Sequence, residues 1–220
     1  MIKGNLWNSF KTNKVVRNFV ISDLVLFGGW GLISPVMSIF VIENIEGASL
    51  ITVGALALVY WVVRSAIELP MAIVIEKTET EKDDMYVLIS GLLLISVSAF
   101  WLSFVETIPQ LFLFQAVYAL GFALYAAAWS GIFSRHIDKS KAAISWAVDH
   151  TLIGIATGVT GILGGYIAQD FGFSPIFFLA GMASFVAAVL IFIVPEMILP
   201  GKKSIPTPPT MDHSPKTAVK

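Results

Sequence analysis

Six long apolar runs constrain this chain more than any other feature of its sequence. Each is near or above the roughly 20 residues that an α-helix needs to cross the hydrocarbon core of a bilayer. The joins between them are too short to hold a soluble domain. The charged fraction of 13% agrees, since soluble proteins carry about 25%. The predicted fold class is an all-α membrane protein with a six-transmembrane-helix bundle, its runs at about 18–42, 48–75, 85–105, 110–133, 142–168 and 174–195.

Three regions follow from these runs. Residues 1–17 form a basic N-terminus, residues 18–199 form the six-helix transmembrane domain, and residues 200–220 form a tail. The tail is rich in Lys, Pro and Thr and has few residues that could enter a core. Such a composition predicts disorder, because too little apolar surface is available for burial.

Lysine and arginine positions predict the orientation. Cytoplasmic loops carry an excess of these residues, whereas carboxylates contribute little to the rule. The N-terminus, the second and fourth joins and the tail hold 13 of the 14 basic residues, and Arg64 is the other one. The sequence therefore predicts a multi-pass protein of the plasma membrane with both termini in the cytoplasm.

Several classes of chemistry are disfavoured by composition. The chain has no cysteine, which excludes disulfides, thiol catalysis and Cys-ligated metals. His136 and His150 lack a helix-spaced partner ligand, so no metal or cofactor is expected. Residues 128–131 (AWSG) are faintly similar to a serine-protease motif around Ser130, but the sixth run has no histidine to act as its base. We therefore expect neither an enzyme nor a nucleic-acid-binding protein.

Five ionisable residues interrupt the apolar runs, and they are candidates for gating or coupling. Arg64 and Glu68 are four residues apart, on one helical face, where they can form a pair. Asp149 and His150 are neighbours that could take part in proton coupling. Structural alternatives exist for each group: Asp23 could reach the membrane interface, the pair could join packed helices, and His150 could bond a carbonyl group. The residues alone leave both interpretations open.

Polar and aromatic side chains form stripes on the first and fourth runs. Trp30 and Ser34 lie close to one face of the first run. The fourth run carries residues at spacings of three and four, which places them on one helical face. The stripe could be packing, but its amide and hydroxyl groups favour a wet interior over lipid. Its members are Gln115, Tyr118, Phe122, Tyr125 and Trp129.

The fifth run carries a stripe of glycines, which we call the glycine seam: Gly154, Gly158, Gly161 and Gly165. Their spacings of four, three and four place them on one helical face. Membrane helices use such small residues to bring their backbones together, because lipid supplies no hydrophobic drive for association. The seam therefore predicts a close helix–helix interface.

Several motifs resemble those of the major facilitator superfamily, in particular one six-helix half of its twelve-helix fold. Residues 72–77 (AIVIEK) resemble the G-x-L-a-D-[RK] signature, with Ala72 for the glycine and Glu76 for the aspartate. Residues 160–165 (TGILGG) resemble the G-P-x-x-G-G signature without its proline, and residues 164–173 resemble the junction that follows it. The G-R-R part of the first signature is absent, and Gln115 stands nearest to the arginine of the family's fourth helix.

The resemblance implies where a solute and a second half would bind. Helices one and four would line the cavity, through Trp30, Ser34, Gln115, Tyr118, Tyr125 and Trp129. Helices two and five would meet the other half, with the glycine seam in that interface. Glu76 would cap a helix start in the opposite half, and Lys77 would keep the family's basic position. Gating or coupling would involve Asp23, Arg64, Glu68, Glu76, Lys77, Asp149 and His150.

Two functions compete on this basis. The first is secondary transport of a small solute by alternating access, with the chain acting as a homodimer or pairing with a second six-helix chain in the lipid. The second is a non-transporting membrane scaffold or accessory subunit with the same fold. Because the arginine of the family's fourth helix has no match here, transport driven by protons through the family's usual arrangement is not supported. The aromatic lining favours an amphipathic or apolar solute over an organic anion.

Overall fold

The structure is a computed structural model that describes residues 14–77 and 81–193. The predicted tail and most of the predicted N-terminal region lie outside the described residues. Every regular element within them is helical, including a short 3-10 turn at Lys139–Lys141. The α-helices are α1 (Lys14–Ile33), α2 (Met37–Asn44), α3 (Leu50–Lys77), α4 (Glu81–Leu102), α5 (Ile108–His136), α6 (Ala142–Phe171) and α7 (Ser174–Phe192).

Six of these helices are long and apolar enough to cross a membrane: α1, α3, α4, α5, α6 and α7. They coincide with the six apolar runs, and the predicted six-helix bundle is confirmed. The short helix α2 is the second part of the first run. Pro35 has no backbone N–H and its ring hinders a continuous helix, so α1 ends at Ile33 and the chain turns before Met37.

Local signals in the sequence set the other helix ends. Gly47 and Gly172 have φ angles of 75° and 80°, in the left-handed region that favours glycine. Gly172 directly follows α6, as expected of a glycine that ends a helix. At the start of α5, the side chain of Gln110 accepts a hydrogen bond from the backbone N–H of Thr107 at 3.2 Å, which is half of a capping box.

The helices pack side by side in the order α6, α1, α7, α4, α5 and α3, and α1 also touches α5. The third run, which is α4, is rich in Leu, Ile and Ser and carries no charge over residues 85–105, which predicts a peripheral helix facing lipid. This expectation is wrong, because α4 lies between α5 and α7 and half of its span is buried. Its small residues explain the difference, since Gly91 and Ser96 let two neighbours approach closely.

Close contacts and hydrogen bonds join the inner helices. A Cβ atom built on Gly91 would lie 2.6 Å from the backbone nitrogen of Tyr125, so α4 and α5 touch there backbone to backbone. The Ser96 hydroxyl donates to the Gly181 carbonyl oxygen at 2.8 Å, which ties α4 to α7. The Trp30 indole donates to Ser184 at 3.1 Å, which ties α1 to α7. Hydrogen bonds from Ser and other polar side chains commonly join neighbouring helices in membrane proteins.

The helices at the two ends of the row, α3 and α6, are barely buried. Only 6% of the most apolar window of each is buried inside the bundle, against 50% for α1, α4 and α5. Apolar side chains such as Trp61 and Ile162 are therefore exposed on these helices. In a membrane, lipid or further helices cover such faces.

Candidate functional site

A cavity of about 430 Å³ lies between α1, α3 and α5. This volume falls within the range of about 300–1,000 Å³ that is typical of small-molecule sites. α6 contributes only Thr157 to its wall. The wall is mostly apolar and aromatic, with a few polar side chains, and consists of Phe27, Trp30, Gly31, Ile33, Ser34, Met37, Tyr60, Arg64, Phe114, Gln115, Tyr118, Phe122, Tyr125 and Thr157.

The structure brings together five of the six residues that we predicted for a cavity: Trp30, Ser34, Gln115, Tyr118 and Tyr125. Trp129, the sixth, lies outside this lining. Its ring stacks on Phe133 with centroids 4.4 Å apart and meets Trp146 at 5.3 Å. The stripe on α5 therefore lies in two environments. Most of its members line the cavity, whereas the last one, Trp129, packs in a separate aromatic cluster.

Aromatic rings in the cavity wall contact one another around Tyr118. The ring centroids of Tyr118 and Trp30 are 4.2 Å apart, and those of Tyr118 and Phe122 are 4.8 Å apart. Tyr60 on α3 reaches the same cluster, 5.6 Å from Tyr118. Three helices are thus joined by rings. Rings have few rotatable bonds, so this wall loses little entropy when it is ordered.

Arg64 lies in the cavity wall and forms the predicted pair with Glu68. The Arg64 Nε atom donates to the Glu68 carboxylate at 2.6 Å, and Nη1 donates to the Tyr60 hydroxyl oxygen at 2.8 Å. The guanidinium also lies 5.8 Å and 5.5 Å from the ring centroids of Tyr60 and Trp61, within cation–π range. All of these residues belong to α3, so the pair does not join α3 to another helix.

Asp23 on α1 is buried inside the bundle and is not exposed at its surface. Only 2% of it is exposed. Its carboxylate accepts a hydrogen bond from the Tyr125 hydroxyl at 2.5 Å. Since Tyr125 also lines the cavity, one side chain separates this acid from the cavity space.

Asp149 on α6 lies within electrostatic range of Asp23, although 126 positions separate the two in sequence. It is 1% exposed, and its Oδ1 atom has no hydrogen-bond partner among the described residues. The neighbouring His150 is exposed, and its ring lies 5.8 Å from that of Trp146. Two acids thus share one buried region, while the histidine lies at its edge.

Glu76 and Lys77 are exposed at the end of α3. Next to them is a cluster that we did not predict, at what we call the charged end of the bundle, where α3 and α5 end and α4 begins. Arg135 donates to Glu81 at 3.0 Å and also to Asp84, and His136 contacts Glu81 at 2.9 Å. The sequence does hold a signal, since three acids lie in the first turn of α4 and two basic residues in the last turn of α5.

The glycine seam lies mostly on the open side of α6. Among the described residues, a Cβ atom added to Gly154, Gly158 or Gly165 would meet nothing within 4 Å, whereas one added to Gly161 would lie 3.6 Å from the Pro35 side chain. The contact with α1 is made by an adjacent face, on which a Cβ at Gly164 would clash with the backbone of Leu32. Most of the seam is therefore not used within this chain.

Sequence reasoning missed Tyr60, Phe114 and Thr157 in the cavity wall. Tyr60 could have been found, because it precedes Arg64 by four residues and so lies on the same face of α3. Phe114 lies four residues before Tyr118, beside the α5 stripe. Thr157 gives no comparable signal: its place depends on how α6 packs against α1, where its hydroxyl donates to the Phe27 carbonyl oxygen at 3.4 Å.

Comparison with known proteins gives one result. The sequence model of the Major Facilitator Superfamily matches residues 19–218. The match covers nearly all of the 220 residues, including the whole of α3 to α7 and all but the first five residues of α1. No curated protein is significantly similar to the chain in sequence.

Proposed function

We propose that this chain, which belongs to the major facilitator superfamily of membrane transporters, moves a small solute by alternating access as a dimer of six-helix halves. In this fold, substrates bind near the middle of the membrane between two halves that rock against each other. The chain supplies one such half. The second half would be another copy of this chain or a different six-helix chain.

One observation carries this proposal: a cavity wall on one side of a bundle whose end helices are almost uncovered. The wall is made by α1, α3 and α5, and α6 adds Thr157. The end helices α3 and α6 are each buried over only 6% of their most apolar window. A second half against α3 and α6 would cover both faces and place its own wall opposite this one.

The five predicted residues that line the cavity would contact the solute: Trp30, Ser34, Gln115, Tyr118 and Tyr125. Gln115 and Ser34 offer polar atoms that can orient the solute, while the rings provide apolar contact. This division is typical of small-molecule sites, where a few polar groups fix orientation.

Asp23, Asp149 and His150 would supply coupling. Two acids that share a buried region cannot both be charged without mutual repulsion, so binding or loss of a proton there would respond to the solute. The Oδ1 atom of Asp149 supports this role, because it has no hydrogen-bond partner among the described residues and can bind a proton or accept a further hydrogen bond. Arg64 and Glu68 would form a gate, since Arg64 lines the cavity and donates a hydrogen bond to Glu68.

Glu76 and Lys77 would act at the interface between halves. Both are exposed at the charged end. An acid there can stabilise the positive N-terminal end of a helix, and α6 of a second copy begins at that same end. The basic residues of the joins support a plasma-membrane protein with both termini in the cytoplasm.

Cysteine crosslinking tests the dimer, and the chain suits it because it has no native cysteine. Copies carrying Gly54→Cys on α3 would be mixed in membranes with copies carrying Gly158→Cys on α6. A Cβ atom added at either position would meet nothing within 4 Å in the part of the chain that the structure describes. We expect crosslinks between copies at these positions. Val97→Cys on α4, which is also exposed, is the matched control and should not crosslink with Gly158→Cys.

Solute flux in reconstituted vesicles separates transport from a scaffold role. Arg64→Gln with Glu68→Gln removes both charges of the pair and keeps side chains of similar size. A transporter with this gate would lose flux while its unfolding temperature changes little. A scaffold would show no flux in the unaltered protein, and the double variant would change only stability or assembly.

A further inference from the structure

The chemistry of the cavity wall points to one class of solute, an inference that rests on the transport function proposed above. We propose that the cavity binds a lipophilic organic cation, in which a delocalised or quaternary positive charge is carried on an aromatic or aliphatic body. The rings of the wall, the balance of charge behind them and the small number of hydrogen-bonding groups each support this class.

The rings are the first support. Seven of the 14 lining residues are aromatic. Aromatic faces carry partial negative charge and bind cations that have shed their water, and recognition of quaternary ammonium groups uses such rings. The protein already provides an example, because the Arg64 guanidinium, itself an organic cation, lies 5.5 Å from the Trp61 ring centroid and 5.8 Å from that of Tyr60.

The balance of charge is the second support. The positive charge of Arg64 is compensated by Glu68 at 2.6 Å. Asp23 and Asp149 have no Lys or Arg partner among the residues that the structure describes; Asp23 accepts its hydrogen bond from the neutral Tyr125 hydroxyl. His150 follows Asp149 in the sequence, but it is exposed. A cation bound nearby favours the ionised form of such an acid, and in a medium of low dielectric constant the ionised acid attracts the cation and repels an anion.

The small number of free polar groups is the third support. Ser34, Gln115 and Thr157 are the neutral non-aromatic polar residues of the wall, and Thr157 already donates to a backbone carbonyl oxygen. A sugar or peptide would bring many hydroxyl or amide groups and leave several unpaired, which is costly in a dry site. A cation without hydrogen-bond donors brings no such groups.

Two ions of nearly equal size and shape but opposite charge test the inference: tetraphenylphosphonium and tetraphenylborate. The full chain would be placed in nanodiscs of uncharged lipid, and binding would be measured by equilibrium dialysis. Empty nanodiscs correct for partition of each ion into lipid. We expect saturable binding of tetraphenylphosphonium to the protein and no binding of tetraphenylborate beyond that of empty nanodiscs.

Matched variants locate the site. Tyr118→Leu keeps apolar volume but removes the ring, so we expect tetraphenylphosphonium affinity to fall about tenfold, whereas Tyr118→Phe keeps the ring and the affinity. Tyr86→Leu, at an exposed position on α4, is the control and should leave the affinity unchanged.

Asp23→Asn should also lower the affinity for tetraphenylphosphonium about tenfold, while Asp170→Asn, exposed at the end of α6, should not. Elution as a single species on size-exclusion chromatography verifies that each variant folds.

Three results would overturn the inference. Saturable tetraphenylborate binding that Arg64→Gln abolishes would show an anion site. Equal saturable binding of both ions would show a site that does not discriminate between them by charge. Absence of saturable binding of either ion would also contradict it. These results are separate from failure of the proposed function, which would appear as saturable cation binding without flux of any solute in vesicles.

Discussion

The carboxylate of Asp23 accepts a hydrogen bond from the Tyr125 hydroxyl at 2.5 Å inside the bundle. A buried carboxylate depends on such donors, because no water is available to replace them. This contact also links the acid to the cavity, since Tyr125 is part of the lining. At the residue scale, it is the connection through which a bound solute could sense the protonation of Asp23.

Tyr125→Phe tests this contact. The variant keeps the ring but removes the donor, so we expect the free energy of unfolding to fall by about 1–3 kcal/mol, the cost of leaving a buried acceptor without its donor. Unfolding from mild detergent into sodium dodecyl sulfate, followed by tryptophan fluorescence, measures the change. Tyr86→Phe removes a hydroxyl at an exposed position and should change stability by less than about 0.5 kcal/mol. Equal effects of the two variants would refute a stabilising bond.

At the scale of elements, the contact between α4 and α5 is closer than any side chain would allow. Gly91 and Gly121 face each other there: a Cβ on Gly91 would lie 2.7 Å from the Gly121 carbonyl oxygen. Close backbones gain dispersion contacts along their length, which drives association of helices in lipid. The charged cluster around Arg135 then joins the same two helices at the charged end.

Gly91→Ala probes the close contact. The added methyl group must push α4 and α5 apart, so we expect a loss of about 1–3 kcal/mol in the free energy of unfolding. Gly28→Ala is the matched control on α1, where the added Cβ would meet only the Ala156 Cβ at 4.0 Å. Because alanine favours a helix over glycine, this control should leave stability unchanged or raise it by up to about 1 kcal/mol. If both variants were equally stable, close packing at Gly91 would be unimportant.

Arg135→Gln probes the charged cluster. The change removes a cation that bonds to Glu81 and to the buried Asp84, so we expect a loss of about 1.5–3 kcal/mol. The same unfolding assay applies, with Lys139→Gln, an exposed change of the same charge nearby, as control. An Arg135→Gln protein as stable as the control would show that the cluster is not a stabilising link.

At the scale of the whole molecule, the inner faces of the bundle are packed against one another, whereas α3 and α6 are mostly uncovered. The inner helices use their small residues in contacts within the chain, whereas a Cβ atom added to three of the four glycines in the seam would meet nothing within 4 Å over residues 14–77 and 81–193. Exposed Trp61, Leu69 and Tyr166 lie on the same two helices. This asymmetry is the physical basis of the proposed dimer.

Gly158→Leu tests the seam at this scale. A Cβ atom at this position meets no atom within 4 Å among the described residues, so the free energy of unfolding of a single copy should not fall. A second copy packed on the seam would be displaced, and we expect the dimer to dissociate about tenfold more readily. Single-molecule photobleaching in lipid bilayers counts the copies. Val186→Leu, at an exposed site on α7, is the control; an unchanged dimer with Gly158→Leu would place the interface elsewhere.

Much of the site could be predicted because a helix presents every third or fourth residue on one face. That rule alone grouped Gln115, Tyr118 and Tyr125 on α5, and it paired Arg64 with Glu68 on α3. It could not tell where the stripe leaves the cavity, so it grouped Trp129 with the cavity residues, whereas the Trp129 ring packs against Phe133 and Trp146. Nor could it place Thr157 beside the cavity, because that depends on the packing of α6 against α1.

The sequence by itself determined the number, length and apolar character of the helices, because crossing a membrane requires about 20 apolar residues in a form that pairs its own backbone. It also determined where the first helix breaks, because Pro35 has no backbone N–H. Only the tertiary structure decided which helix faces which. The packing placed α4 between α5 and α7, brought Asp23 near Asp149, and left α3 and α6 uncovered, because such contacts depend on the shapes of several helices at once and no single helix carries that information.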